Sequence, residues 1–438
     1  MRQLMSNPQF DQLLANAHAG KPDAQFLLSQ ICLQSQDIDG MVFWLEKASD
    51  KGFPDALGAL GHCYEKGRGF AVDMAKAMSY YDRAVDAGSK VAALHKAQLL
   101  YKSKPGPEYS SLIYDLLVIA ATANVAPALR VIGYLAMQHE RKRDLAIDCL
   151  RQGAVLGDFV SAFILGWCLL QGWGGEGTEP EAAFWLQQAS NADYPFAAGL
   201  LVLSSTAKPN APQGLSKVID FGTLFPLYPE AQGVDCEVFS SDPPITLFKE
   251  VLSTVDCAYI MYLSRPYLMR ASVIDPEGDS SGMVSDVRTN RSTYLPFEIV
   301  DIIGRHIELK IIHETGEDLS CSEPMSILHY APGEYYRPHV DYFNPRLDVS
   351  KDFLQDGGQR TASAVTYLTA PTAGGGTSFP NLKVTVPPVA GGTLWFRNCL
   401  KNGQIDERSL HAGDTVIDGE KWVVTKWFRE KPTQYLQI

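Results

Sequence analysis

The chain has 438 residues, 46% of them hydrophobic and 20% charged, and a formal net charge of −12. That length suffices for two separately cored domains, and an acidic balance without a concentrated Lys/Arg run argues against nucleic acid as a partner. No apolar run approaches membrane-spanning length, Met1-Arg2-Gln3-Leu4-Met5-Ser6-Asn7-Pro8 lacks the apolar core of a signal peptide, and the eight cysteines include no Cys-x-x-Cys; a cytoplasmic protein with free thiols and no membrane partner is expected.

The first 205 residues repeat. Small residues return roughly every 34 positions, at Ser29, Gly61, Ala97, Gly133 and Gly166. A second series, Ala48, Ala84, Ala120, Ala154 and Ala189, keeps the same beat, and a large residue stands four before each: Trp44, Tyr80, Leu116, Leu150, Trp185. Large and small residues at i and i+4 share one helix face, so the pattern predicts pairs of helices that approach closely at the small positions. The stretch Ala56-Leu57-Gly58-Ala59-Leu60-Gly61-His62-Cys63-Tyr64-Glu65-Lys66-Gly67-Arg68-Gly69 resembles the SEL-like repeat, a relative of the tetratricopeptide repeat. About five such units predict an α-solenoid over residues 1–205, a form that presents a concave surface to a protein partner or packs against its own chain. His62 and His95 read as packing or surface residues, and Trp44, Tyr80 and Trp185 as core.

Thr206-Ala207-Lys208-Pro209-Asn210-Ala211-Pro212-Gln213-Gly214 breaks the helical pattern and opens a linker over 206–240. Beyond it, 243–263 reads as a helix, Pro296 to Thr315 as another, and the rest as alternating strands. The fold class expected is multidomain α and β: the solenoid of helical hairpins, then a double-stranded β-helix, or jelly roll, with flanking helices over 241–438.

The chemistry-bearing residues fall in that second domain. His339 and Asp341 are two apart, so an extended segment would turn both to one face. His411 supplies a third ligand from elsewhere in the chain. Two histidines and one carboxylate bind iron(II) on one side and leave the other coordination positions open. The turn signal Asp418-Gly419 predicts a hairpin whose return strand, Lys421 to Phe428, carries Lys421 inward. Taken singly, Tyr330 and Trp427 would be core aromatics, Thr377 part of a glycine-rich turn, and Arg288 and Arg360 surface ion-pair partners.

Together with Tyr330-Ala331-Pro332-Gly333, Gly375-Gly376-Thr377-Ser378-Phe379-Pro380 and Ser409-Leu410-His411-Ala412-Gly413, these residues closely resemble the prolyl 4-hydroxylase family of iron(II)/2-oxoglutarate dioxygenases, over roughly residues 240 to 432. The resemblance implies that His339, Asp341 and His411 hold iron, that Lys421 pairs with the distal carboxylate of 2-oxoglutarate, and that Tyr330, Thr377 and Trp427 complete the co-substrate pocket. It implies O2 as co-substrate and ascorbate as reductant, and it puts Arg288 and Arg360 on the substrate side. Many relatives carry a histidine where this chain has Arg429, which leaves substrate identity open.

The leading expectation is therefore a 2-oxoglutarate-dependent hydroxylase that releases succinate and CO2 and acts on a prolyl residue of a protein recruited by the solenoid. Hydroxylation of a free amino acid or another small molecule is a second reading. An oxygen- or iron-sensing scaffold with little turnover is a third.

Overall fold

The computed structural model describes residues 8–104, 106–176, 178–204, 209–210, 218–271, 287–344 and 349–436. Most of the linker segment 206–214 therefore lies outside the described residues. The chain divides into two compact units: Met1–Glu181 with Asn210–Leu227, and Ala182–Pro209 with Tyr228–Gln437. Among the described residues no helix is long and apolar enough to cross a membrane.

The first unit is the expected solenoid. Its helices include Ile38–Ser49 and Pro54–Lys66, Met74–Asp86 and Lys90–Ser103, Ser110–Thr122 and Ala126–Ala136, and Arg143–Val155 and Phe159–Leu170. Several begin on a side-chain cap; Asp37, Asp73, Ser89 and Asp158 each accept a first-turn amide hydrogen that no helical carbonyl can take. The repeating alanines are the contact row: in this unit Ala48, Ala84 and Ala120 are wholly buried. Gly61 shows why the positions stay small, because a Cβ there would sit 2.7 Å from the Tyr81 ring. Below that contact, the Tyr81 hydroxyl donates to Glu65 at 2.7 Å, and Lys102 pairs with the same buried carboxylate at 3.1 Å.

Residues 218–227, which the sequence places in the linker, have no helix or strand yet belong to this unit. Side chains of the helices hold their backbone: Tyr114 Oη donates to Phe221 O at 2.6 Å, Tyr101 Oη to Leu227 O at 2.9 Å, and Lys142 Nζ to Thr223 O at 3.2 Å. Phe225 and Leu227 fill apolar space beneath and are buried.

In the second unit two antiparallel sheets enclose a core. The larger runs in the order Cys236–Ser241, Pro244–Phe248, Thr393–Arg397, Arg360–Tyr367, Lys421–Arg429, Met325–Tyr330, Arg291–Leu295, Met269–Arg270. The smaller runs Val384–Val386, Thr377–Phe379, His411–Gly413, Tyr336–His339. Leu247, Leu328, Val365, Phe379, Leu394, Phe396 and Val423 form the core, in the jelly-roll arrangement expected. Strand alternation splits the strand Lys421–Arg429 between environments. Lys421 turns inward; Lys426 turns outward, where it bonds Glu308 of the helix Ile302–Thr315.

Two local expectations are corrected. Pro244–Phe248 is a strand, and the helix of that region is Thr254–Ser264, opened by a capping box between Ser253 and Asp256. Ile245 and Leu247 face the core at a two-residue period too short to stand out inside an apolar run. The turn at Asp418-Gly419 does not close a hairpin. Val416–Asp418 pairs with Ala373–Gly374, whereas Lys421–Arg429 crosses into the larger sheet between Met325–Tyr330 and Arg360–Tyr367. Gly419, at φ +84°, makes that change of sheet possible.

Candidate metal centre and co-substrate pocket

His339 ends its strand and His411 begins the neighbouring one, and the two are directly opposed in the antiparallel ladder. Their ring centroids lie 4.3 Å apart. Asp341 stands just beyond the strand end rather than within it, in the bend that follows. Its Oδ1 is 3.8 Å from His339 Nε2 and its Oδ2 is 3.7 Å from His411 Nε2. Among the described residues this is the one group of three potential ligands whose donor atoms all lie within 4.8 Å of one another.

The donor chemistry fits a divalent iron. Each histidine engages the carbonyl two residues before it through Nδ1, His339 with Arg337 and His411 with Ser409, both at 2.9 Å. That bond fixes the tautomer with the proton on Nδ1 and leaves both Nε2 lone pairs turned toward Asp341. Tyr336 stacks on the His339 ring at 3.5 Å and Phe396 meets the His411 ring edge-on at 4.8 Å, so neither imidazole can swing freely. Burial, and then the adjacent His411, push the His339 imidazole down to about 3, which keeps it in the neutral form a metal needs. Burial opposes ionisation of Asp341. The two histidines, Arg360 and a hydrogen bond from Ser363 outweigh it and hold the carboxyl below its ordinary value.

Beside this cluster lies a buried cation. Lys421 is 2% exposed; its ammonium donates to Gly376 O at 3.3 Å and sits 5.3 Å from the Tyr330 ring and 5.5 Å from the Tyr367 ring. No carboxylate among the described residues forms a salt bridge with it, and burial pushes its pKa down to about 8. Tyr330 is the cross-strand neighbour of Lys421. Thr377 pairs with Gly413 on the His411 strand, and its hydroxyl bonds Tyr367 Oη at 2.8 Å. Tyr330, Thr377 and Lys421 are thus brought together from three strands.

Trp427 lies on the same strand as Lys421, with the Arg360 guanidinium 3.9 Å above its ring. Arg360 is not a free surface cation: Glu323 grips it through Nε and Nη2 at 2.7 Å each. Arg429 donates to the same carboxylate at 2.9 Å and to the carbonyls of Phe353, Asp356 and Gly358. It therefore ties down the helix Val349–Gln355. Arg288 rests 4.9 Å over the Tyr336 ring and bonds Asn290.

Tyr336, Tyr367, Glu323, Ser363 and Asn398 also surround the site and do not stand out in the sequence as functional residues. Ser363 had a signal: it is the small polar member of the inward series Ser363, Val365, Tyr367. Glu323 had none, because its partners are distant in sequence.

Residues 325–429 match the sequence model of the 2OG-Fe(II) oxygenase superfamily, and residues 42–53, 54–89 and 160–194 match the Sel1 repeat. Prolyl 4-hydroxylase 1 of Arabidopsis thaliana is 33% identical over 217 residues, which span 45% of this chain and 72% of that protein. Probable prolyl 4-hydroxylase 6 of the same plant is 33% identical over 203 residues, 42% of this chain and 68% of its own. Among solved structures, the 2OG complex of the viral collagen prolyl hydroxylase from Paramecium Bursaria Chlorella virus-1 is 25% identical, covers 42% of this chain and 95% of that one, and has a TM-score of 0.32.

Proposed function

The chain belongs to the prolyl 4-hydroxylase family of 2OG-Fe(II) oxygenases and is a 2-oxoglutarate-dependent, prolyl hydroxylase-like enzyme, and we propose that His339, Asp341 and His411 hold its iron(II) and Lys421 the distal carboxylate of 2-oxoglutarate. The observation that carries this reading is the buried Lys421 ammonium, which forms no salt bridge among the described residues and has only the more distant charge of Asp414 to offset its burial. A charge in so dry a place is costly unless paired, and the dianionic co-substrate supplies the missing partner.

Bound iron supplies reductive activation of O2 coupled to decarboxylation of 2-oxoglutarate, with one oxygen atom delivered to a substrate C–H and the other to succinate. The protein positions and excludes. Tyr330 and Thr377 offer hydroxyls to the co-substrate, Trp427 walls the pocket, and the apolar core behind it keeps water away from the charge pair. On the substrate side we place Arg288 and Arg360, whose guanidinium groups sit over the rings of Tyr336 and Trp427. Glu323 then acts through Arg360 by fixing its plane.

The substrate we propose is a prolyl residue in a protein, brought to the site by the Sel1 repeats. Ascorbate is the proposed reductant after uncoupled turnover, and a cytoplasmic location accords with the scattered free cysteines.

The test is anaerobic addition of iron(II) and then 2-oxoglutarate to the full chain, watching for the visible charge-transfer band of keto-acid chelation. The band is expected in the wild type and absent in His339→Ala. A folded, iron-replete wild type without it would overturn the assignment.

A further inference from the structure

Asp341 is held from behind. Ser363 Oγ donates to Asp341 Oδ2 at 2.6 Å, and Asn398 Nδ2 donates to Ser363 Oγ at 2.9 Å. Both supporting side chains are 0% exposed.

The two bonds have a direction set by proton count. An ionised carboxylate accepts only, so the serine hydroxyl hydrogen must point at Asp341. Oγ is then left as an acceptor, and only the NH2 end of Asn398 can satisfy it. Asn398 is committed to that orientation even though its Oδ1 is buried with no hydrogen-bond partner. A bare buried amide oxygen calls for a compensating reason.

The same loop supports a second ligand. Asn398 O accepts from Asp406 N at 2.9 Å, Ser409 Oγ donates to Asp406 O at 2.7 Å, and Ser409 O is the anchor of His411 Nδ1. The backbone of Asn398 also donates to Thr361 O at 2.8 Å, on the strand that carries Ser363.

We propose that Ser363 and Asn398 form a positioning relay for the metal carboxylate. By engaging Oδ2, the relay stops Asp341 from rotating into two-oxygen chelation, so a single carboxylate oxygen binds and the remaining coordination positions stay available for the co-substrate and O2. The proposal rests on the reading of His339, Asp341 and His411 as the iron site.

The experiment is a titration of the full chain with cobalt(II), whose visible spectrum reports both affinity and coordination number. It compares wild type with Ser363→Ala, Ser363→Thr, Asn398→Leu and Asp341→Ala. Ser363→Ala should bind cobalt about 10-fold or more weakly and with an altered spectrum, in a metal-free protein that still unfolds cooperatively. Asn398→Leu, similar in volume but without the donor, should shift in the same sense and less far. Ser363→Thr, which restores the hydroxyl, should return to wild type. Wild-type affinity and spectrum in both Ser363→Ala and Asn398→Leu, with binding lost in Asp341→Ala, would overturn the relay and leave the iron site standing. Unimpaired binding by Asp341→Ala would instead remove the metal assignment beneath it.

Discussion

Lys421 lies directly opposite Tyr330 across an antiparallel strand pair, its ammonium 5.3 Å from the tyrosine ring and its pKa pushed down to about 8 by burial. The charge that would receive 2-oxoglutarate is therefore titratable near physiological pH. Lys421→Ala should raise the KM for 2-oxoglutarate roughly 10–100-fold, the worth of a charge-assisted bond. In the wild type the charged fraction falls as pH rises through about 8. KM should climb toward tenfold per pH unit above that point, and a KM flat from pH 7 to 9.5 would refute the pairing.

His411→Ala and Asp341→Ala should each abolish succinate formation. Neither should unfold the protein, since each removes one face of a site whose core neighbours, Phe379 and Phe396, stay packed. Loss of turnover with an unchanged circular dichroism spectrum is the expected result; full turnover in His411→Ala would end the triad assignment.

Glu323 neutralises two guanidinium groups, the buried Arg429 and the partly buried Arg360. Its removal strands both, so Glu323→Ala should destabilise the second unit by about 3–5 kcal/mol, read as a fall in its unfolding midpoint. Burial opposes its ionisation, but Arg360 and Arg429 prevail and hold the carboxyl below its ordinary value. Its contribution is thus present above the unfolded-state carboxyl pKa and lost as pH falls through the lower folded value. The difference between wild type and Glu323→Ala should shrink on acidification below about pH 4.

Gly61→Ala drives a methyl group into the Tyr81 ring, and Tyr81 cannot retreat while its hydroxyl serves Glu65. The substitution should destabilise the first unit by about 1–3 kcal/mol. Thermal unfolding should show that unit melting earlier and the second unit unmoved.

How much of this was written in the sequence depends on how far apart the interacting residues lie. The solenoid was legible because each contact row recurs within one helix pair. The grouping of His339, Asp341 and His411 and the inward turn of Lys421 were legible because a whole set of motifs occurs in one order. What escaped were relationships closed by the tertiary fold. Asn398 reaches Ser363, and Glu323 reaches Arg360 and Arg429, across intervals that no period records. Residues 218–227 escaped for a different reason: the helices hold their carbonyls, a feature every residue shares. The turn at Gly419 was recognised as a turn, but which sheet each flanking strand joins is decided by the core and not by the turn.

The facing of His339 and His411 across one ladder also bears on how such a protein can change over generations. A slip of one residue in that pairing would send an imidazole to the opposite side of the sheet, so insertions and deletions inside these two short strands are forbidden. The loop that carries Asn398, Asp406 and Ser409 stands under the same rule, because its length sets where the carbonyl that anchors His411 falls.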